Sequence, residues 1–486
     1  MQLKALQRAG VEKKNIFKDE LSRAAAKRPA LLRCLKRLHA GDTLIVWKLD
    51  RLARSVRDLI VMVDDFNRRG VNFRIDRASV IGAGPRGRPV SKRLPGALVF
   101  SAVLALPLLA QTSLVGSLVD RGFDHFYNLE YPEAIADFSK AVAQNPTDPE
   151  MHNHVAQCLV FQEMFRNGAL ESEMVNGNNS FLRRPKMNPS PETEKRFLDE
   201  ISKALALAQA SLAKNPKDTA ALYAMGVSYG LRSNFYWVVK KAWHDSLRDA
   251  TSARHACSRV EEFQPNNVDA RLVEGLDDYI VGSLPLQFRM LGFLIGIHGD
   301  KEKGIRLVKD VAEHGETDRT DAQILLGALY RRENKPQLVV PLVVDLIRRY
   351  PRNFILRLEL SQMYSMSGDK AHSIEAVEEV ARLKRSHAPG YDRVPWEKIY
   401  FQEGIIQFWY RDLDQALDNL TKVAAASGEV DLNTGVSAYL RIGQIYDMKG
   451  QRAQALTFYK KAIAYAPQSD AAQESKRYLA APYHRG

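Results

Sequence analysis

A chain of 486 residues, 45% of them apolar, can bury substantial cores and is long enough for about two to four domains, which excludes a disordered polypeptide. The net charge of +13 is uneven: Met1 to Arg93 holds 23 Lys+Arg against 9 Asp+Glu, and the rest of the chain is balanced at 47 against 48. A basic excess confined to the N-terminal fifth points that part toward nucleic acid or a membrane surface, whereas three dispersed cysteines (Cys34, Cys158 and Cys257) without a CxxC pair exclude a zinc site or a disulfide framework.

In chain order, Leu3 to Ala9 reads as a helix, Asn15 to Phe17 as a strand, Pro29 to His39 as a helix and Leu44 to Trp47 as a buried strand. Val56 to Arg69 follows as a helix and Val71 to Phe73 as a strand. Strands alternating with helices imply an α/β fragment with a parallel sheet, and the loop after a buried parallel strand is where such sheets hold ligands. Asp50, Arg51 and Arg54 stand in that loop, in "GDTLIVWKLDRLARS". Guanidinium forks bind phosphate oxygens and stabilise developing charge, and a carboxylate beside them can position an arginine or manage a proton.

Gln2 to Arg74 resembles the catalytic domain of the serine recombinases, the resolvase and invertase family. The marks are the Gly41 to Ser55 block, Arg28 with Pro29, and "RGVNF" at Arg69 to Phe73. The resemblance assigns Asp50, Arg51 and Arg54 to the family's active-site Asp-Arg-x-x-Arg and Arg28 to an additional phosphate-contacting arginine. It also implies DNA as a partner of residues 1–93 and a serine nucleophile that forms a covalent phosphoserine link. That serine belongs to a Tyr-x-Arg-Val-Ser segment, which this sequence lacks; neither Ser22 nor Ser55 corresponds to it, and Arg23 stands where the family prefers glycine. The expectation is a truncated domain, residues 1–75, that keeps phosphate-binding groups and lacks the nucleophile.

"IGAGPRGRPVSKR" then makes a basic Gly, Pro and Arg-rich linker over residues 76–93. Residues 94–110 are signal-like: Lys92 and Arg93 precede the uncharged run Leu94 to Leu109, with small Ala110 after it. Sixteen helical residues rise about 24 Å, short of a bilayer core of roughly 30 Å, so a signal peptide or signal-anchor is the expectation. The part beyond would then be periplasmic or otherwise extracytoplasmic, or membrane-anchored; without signal activity the chain would be cytoplasmic. Val90 could serve as a bacterial start, which would put this signal at a true N-terminus.

From residue 111 to about 470 the chain repeats. Tyr439, Ile442, Gly443, Tyr446, Ala455, Tyr459, Ala462 and Pro467 fall on the marked positions of the 34-residue tetratricopeptide (TPR) pattern. Gly122, Ala134, Phe138, Ala141 and Pro146 give a second copy, Gly327, Tyr330, Val339, Val343 and Pro351 a third, and Gly404, Ala416, Leu420 and Val423 a fourth. Looser copies pass through Leu222, Gly226 and Tyr229 and through Tyr364, Val377 and Val380. The chain there resembles an all-α TPR superhelical solenoid, whose concave face suits a protein or peptide partner. Asn176 to Pro191 reads as a loop, Phe235 to Ile297 departs from the period, Ser283 to Ile297 reads as a buried helix, and residues 471–486 read as a tail. His152 and His154, two apart on a helix, diverge and make no metal site, and His244, His255 and Cys257 form no motif. No cofactor is implied. The two function classes are therefore a TPR protein-interaction scaffold, exported or membrane-anchored, carrying an inactive recombinase fragment, and a DNA-strand-exchange enzyme with TPR repeats as its assembly module.

Overall fold

The computed structural model describes residues 11–12, 15–17, 29–39, 41–46, 69 and 71–75, then 106–170, 187–284 and 299–484. Residues 1–101 with 280–300 make one compact unit, and 102–279 with 301–486 another.

In the first unit, α1 (Pro29–Arg37) is followed by β1 (Thr43–Val46) and β2 (Asn72–Ile75). The strands pair in parallel, Thr43 opposite Asn72 through Val46 opposite Ile75, as the strand–helix alternation requires. Ala30, Leu44 and Val71 are buried. The Arg69 guanidinium donates to the carbonyls of Leu35 (3.0 Å) and Leu38 (2.6 Å), two acceptors that the end of α1 leaves open. Asn15 to Phe17 is not a strand: its Asn15 N–H closes a turn onto the Glu12 carbonyl at 2.9 Å, and Asn15 itself is exposed. Leu3 to Ala9 and Val56 to Arg68 lie outside the described residues.

The second unit is helical throughout its described residues. Eight helix pairs follow one another: α2 (Leu106–Tyr127) with α3 (Tyr131–Gln144), α4 (Pro149–Arg166) with α5 (Pro191–Lys214), α6 (Thr219–Asn234) with α7 (Trp243–Phe263), and α8 (Arg271–Gly282) with α9 (Lys301–His314). Then come α10 (Arg319–Arg332) with α11 (Pro336–Arg349), α12 (Phe354–Met366) with α13 (Lys370–Arg385), α14 (Trp396–Trp409) with α15 (Leu413–Ala425), and α16 (Leu432–Met448) with α17 (Arg452–Tyr465). A last helix, α18 (Asp470–Ala480), occupies what the sequence marks as a tail; its small residues Ala472 and Ser475 are buried. Solenoids need such a terminal helix to cover the last repeat.

The junctions between pairs share one piece of chemistry. Pro146, Pro216, Pro265, Pro351 and Pro467 each stop a second helix, and two residues later stand Asp148, Asp218, Asn267, Asn353 and Ser469. Asp148, Asp218, Asn353 and Ser469 then accept N–H groups of the next helix: Glu150 at 2.9 Å, Ala221 at 3.1 Å, Leu356 at 3.3 Å and Ala472 at 3.1 Å. Within pairs, close approach needs small residues. A Cβ on Gly443 would sit 2.5 Å from the Tyr459 ring, and one on Gly304 would sit 2.5 Å from the Gly275 carbonyl oxygen.

Three departures from the sequence reading have local causes. The period fails after α6 because Phe235–Lys240 forms a π-helical turn that ends at Lys241 with φ 55°. The pair α4/α5 is split by residues 167–190, of which 171–186 lie outside the described set together with most of the Asn176 to Pro191 loop. The Ser283 to Ile297 reading also falls there, save for Ser283 and Leu284. Leu106 to Leu109, the end of the charge-free run, belong to the first turn of α2, while residues 94–105 are not described. Among the described residues no helix is long and apolar enough to cross a membrane.

Candidate functional site

β1 ends at Val46, four residues before Asp50 in the sequence. Asp50, Arg51, Arg54 and Arg28 lie outside the described residues.

In the second unit the described residues gather polar side chains where the first helices of successive pairs converge. The chain turns back on itself: Arg352, between α11 and α12, donates from Nη2 to Asp124 at 2.6 Å and from Nε to Glu130 at 3.0 Å. Its backbone N–H donates to Asn128 Oδ1 (2.9 Å), and Asn353 Nδ2 donates to the Tyr127 carbonyl (2.7 Å). Tyr127 packs on Tyr350 at 4.8 Å between ring centres. These contacts bring α2 and α4 against α10 and α12.

Beside that turn, carboxylates from several helices meet neutral donors. Tyr127 of α2 donates to Asp321 Oδ1 at 2.9 Å, and Gln157 of α4 donates to Asp321 Oδ2 at 3.2 Å. Tyr223 of α6 donates to Asp318 Oδ2 at 2.6 Å. Asp318 holds the N-cap position of α10, yet its side chain caps nothing there. Asp269, ahead of α8, instead accepts the N–H groups of Glu316, Thr317 and Asp318 at 3.1–3.2 Å. Glu150 Oε2 meets Asn153 at 3.5 Å, while its Oε1 is buried and meets no donor.

Burial is the main cause of the unusual acidities. It pushes the Asp318 carboxyl up to about 8, with repulsion from Asp321, Asp269 and Glu150 adding to it. Burial likewise pushes Glu150 up to about 7 and raises Asp321. Tyr127 and Tyr223 are raised well above the ordinary phenol range for the same reason, so they stay protonated donors.

The two histidines of α4 part ways. His152 Nδ1 meets Glu200 at 2.5 Å, whereas His154 is packed against Phe123 and Phe138 and burial pushes it down to about 4. Cys257 is buried with its Sγ 2.6 Å from where a Cβ on Gly226 would lie. Among the described residues no three His, Cys, Asp or Glu side chains are placed to hold a metal ion. This carboxylate cluster escapes sequence reasoning because its members come from four helices; the local sign is an aspartate at the N-cap of α10 that leaves capping to others.

Comparison with known proteins separates the two parts. Residues 1–91 match the resolvase N-terminal domain. The match runs past Arg74, where the motif resemblance ends, and takes in most of the stretch read as a linker. Residues 436–469, covering α16 and α17, match a tetratricopeptide repeat. The resolvase-like segment is similar to the serine recombinase gin of Escherichia phage Mu, 50% identical over 88 residues, which are 18% of this chain and 45% of the relative. It is also similar to the DNA-invertase of Escherichia phage P1, 48% identical over 88 residues, 18% of this chain and 46% of that one. The chain thus spans less than half the length of these curated relatives. Among solved structures, yeast Tom70 aligns over 76% of this chain and 96% of its own at 10% identity and TM-score 0.34. The human IFIT1 dimer with PPP-AAAA aligns over 76% of this chain and 84% of its own, at 14% identity and TM-score 0.38.

Proposed function

We propose that the chain is a protein-interaction scaffold whose solenoid holds a polypeptide partner on the surface formed by the first helices of its pairs. The observation that carries this reading is the run of eight helix pairs from Leu106 to Tyr465, closed by α18, with polar side chains from several pairs turned to one place. Export or membrane anchoring is part of the proposal, supported by Lys92 and Arg93 ahead of the charge-free run to Leu109. Cell fractionation with intact-mass measurement tests it: the expected product lies outside the cytoplasm and begins close after Ala110. A cytoplasmic product that retains Gln2 to Arg74 overturns the export.

A second reading, DNA strand exchange, is favoured by the 50% identity of the resolvase-like segment to a serine recombinase. Against it, the 486 residues carry Asp50, Arg51, Arg54 and Arg28 but no Tyr-x-Arg-Val-Ser segment, the part of the family's pattern that holds the nucleophile. We therefore propose that this part binds DNA phosphates without cleaving them. Incubating the full chain with supercoiled plasmid and separating under denaturing conditions is expected to show no covalent protein–DNA link, and the non-covalent binding is expected to fall steeply with salt. A trapped link would restore the enzyme reading.

A further inference from the structure

We infer that the surface at the ends of α14 and α16 is a seat for an extended partner segment carrying an aromatic side chain, and that residues Ala481 to His484 of the chain itself fill this seat until the partner displaces them. This rests on the scaffold reading and names the part of the surface that is used and the chemistry that it takes.

α18 already covers the last repeat with Ala472 and Ser475, so capping does not require the residues after it to lie on the solenoid. The backbone leaves that helix at Ala481, extended at φ −138° and ψ 142°, and then meets the first helices of the last two pairs. The Tyr483 N–H donates to Asp447 Oδ2 of α16 at 2.8 Å. Between ring centres, Tyr483 lies 6.3 Å from Phe408 of α14 and, edge to face, 5.2 Å from Tyr478 of α18. A main-chain hydrogen bond combined with a side chain on a complementary surface is a general way to hold an extended peptide.

The seat does not depend on the segment that fills it. Asp447, whose side chain is buried, also accepts from Arg452 Nη1 at 2.9 Å and from the Tyr459 hydroxyl at 2.8 Å. Arg452 is fixed in turn by the Tyr478 carbonyl at 2.6 Å, and Phe408 is buried in the packing of α14 to α16. Acceptor and aromatic floor are therefore preorganised, which lowers the cost of binding.

The hold on the segment is slight. Ala481, Pro482 and His484 are exposed, and past the end of α18 the described contacts are one hydrogen bond and the packing of one ring. The apolar surface beside it is wider than the segment covers. Trp409, the last residue of α14, is 42% exposed, and the Arg441 guanidinium lies over it at 5.3 Å and over Phe408 at 5.1 Å. A longer segment can cover Trp409 as well as take the place of Tyr483, and this gives it the advantage. An aromatic side chain fits best, because rings gain from edge-to-face and offset packing beyond the area they bury.

The test pans a random dodecapeptide phage library against the full chain carrying Tyr483→Ala, which leaves α18 and the other partners of Asp447 in place. Recovered peptides are expected to share an aromatic residue whose replacement by leucine weakens binding about fivefold. They should bind the parent and Tyr483→Phe about tenfold less tightly than Tyr483→Ala, since a seat filled about nine-tenths of the time lowers apparent affinity by that factor. Adding Trp409→Ala, a change at an exposed position, should weaken binding about tenfold. A fluorine-labelled tyrosine at position 483 of the otherwise unchanged chain should shift its resonance when saturating peptide unseats it. Peptides that bind the parent and Tyr483→Ala equally, or that leave this resonance unmoved, overturn the inference and leave the scaffold standing. Concentration-dependent association of the parent that Tyr483→Ala abolishes would assign the seat to a second copy of the chain and overturn the partner as its occupant. Recovery of no peptide at all overturns both the inference and the scaffold.

Discussion

Replacing Asp318 by asparagine is expected to raise the melting temperature at pH 8 by roughly 3–5 °C, from a gain of about 2–4 kcal/mol, and to change nothing near pH 4. The unfolded chain ionises this carboxyl in the ordinary aspartate range, whereas burial holds it near 8 in the fold. A raised folded-state value stabilises the fold fully below the unfolded value, and that contribution is lost progressively as pH climbs toward 8. Asparagine never ionises. Its carbonyl oxygen still accepts from the Tyr223 hydroxyl, now 2.6 Å from Asp318 Oδ2, and asparagine is as good as aspartate at an N-cap. It also ends the repulsion that Asp321, Asp269 and Glu150 exert on an ionised residue 318. The loss of a negative charge at the start of α10 works the other way by about 0.5 kcal/mol, too little to reverse the sign. Differential scanning calorimetry of both proteins from pH 4 to pH 8 is the measurement. Parallel melting curves across that range would mean that Asp318 is as free to ionise in the fold as out of it.

The same residue shows where sequence reasoning reaches and where it stops. Gly443 facing Tyr459, Gly122 facing Phe138 and Gly404 facing Leu420 could be found by spacing, because each contact joins two helices of one pair and demands a glycine at a fixed distance from a large side chain. The pair α8/α9 obeys the same rule through Gly275 and Gly304, but 28 intervening residues, many of them apolar, hide the period. Asn15 to Phe17 looks like a strand by composition, yet Asn15 closes a turn onto Glu12, and no strand pairs with these three residues among the described residues. The carboxylate cluster was invisible for a stronger reason. Tyr127 and Asp321 are 194 residues apart and Tyr223 and Asp318 are 95 apart, so their meeting depends on how the solenoid turns, which no local pattern encodes. In the N-terminal part the reverse holds. β1 and β2 pair in parallel, whereas Asp50, Arg51 and Arg54, singled out from residue types alone, lie outside the described residues.

Removing the arginine that holds the turn should have the second large effect. Arg352→Ala is expected to destabilise the solenoid by about 2–4 kcal/mol and to loosen α2 and α3 selectively in hydrogen exchange. Burial alone would push the Glu130 carboxyl up, but hydrogen bonds from Arg352 and His125 overcome that and hold it below its ordinary range. Glu130 therefore contributes stability that is present above the unfolded glutamate value and is lost as pH falls through the lower folded value. Without Arg352, Asp124 and Glu130 remain beside each other with only His125 and neutral donors near, and the link of 222 residues between Glu130 and the sixth pair is gone. Alanine leaves the backbone N–H of residue 352 to donate to Asn128, and Asn353 still reaches the Tyr127 carbonyl, so the turn should loosen before it opens. Arg352→Lys separates charge from shape: an ammonium can meet one carboxylate and cannot span both as the guanidinium does, so it should recover about half of the loss. Burial is what raises the Asp321 carboxyl, so loosening by Arg352→Ala should let it fall toward its ordinary range as solvent enters, with loss of the Tyr127 and Gln157 hydrogen bonds opposing part of that fall. Hydrogen exchange that rises evenly over all eight pairs would show that Arg352 contributes only general stability and does not hold the two ends of this turn together.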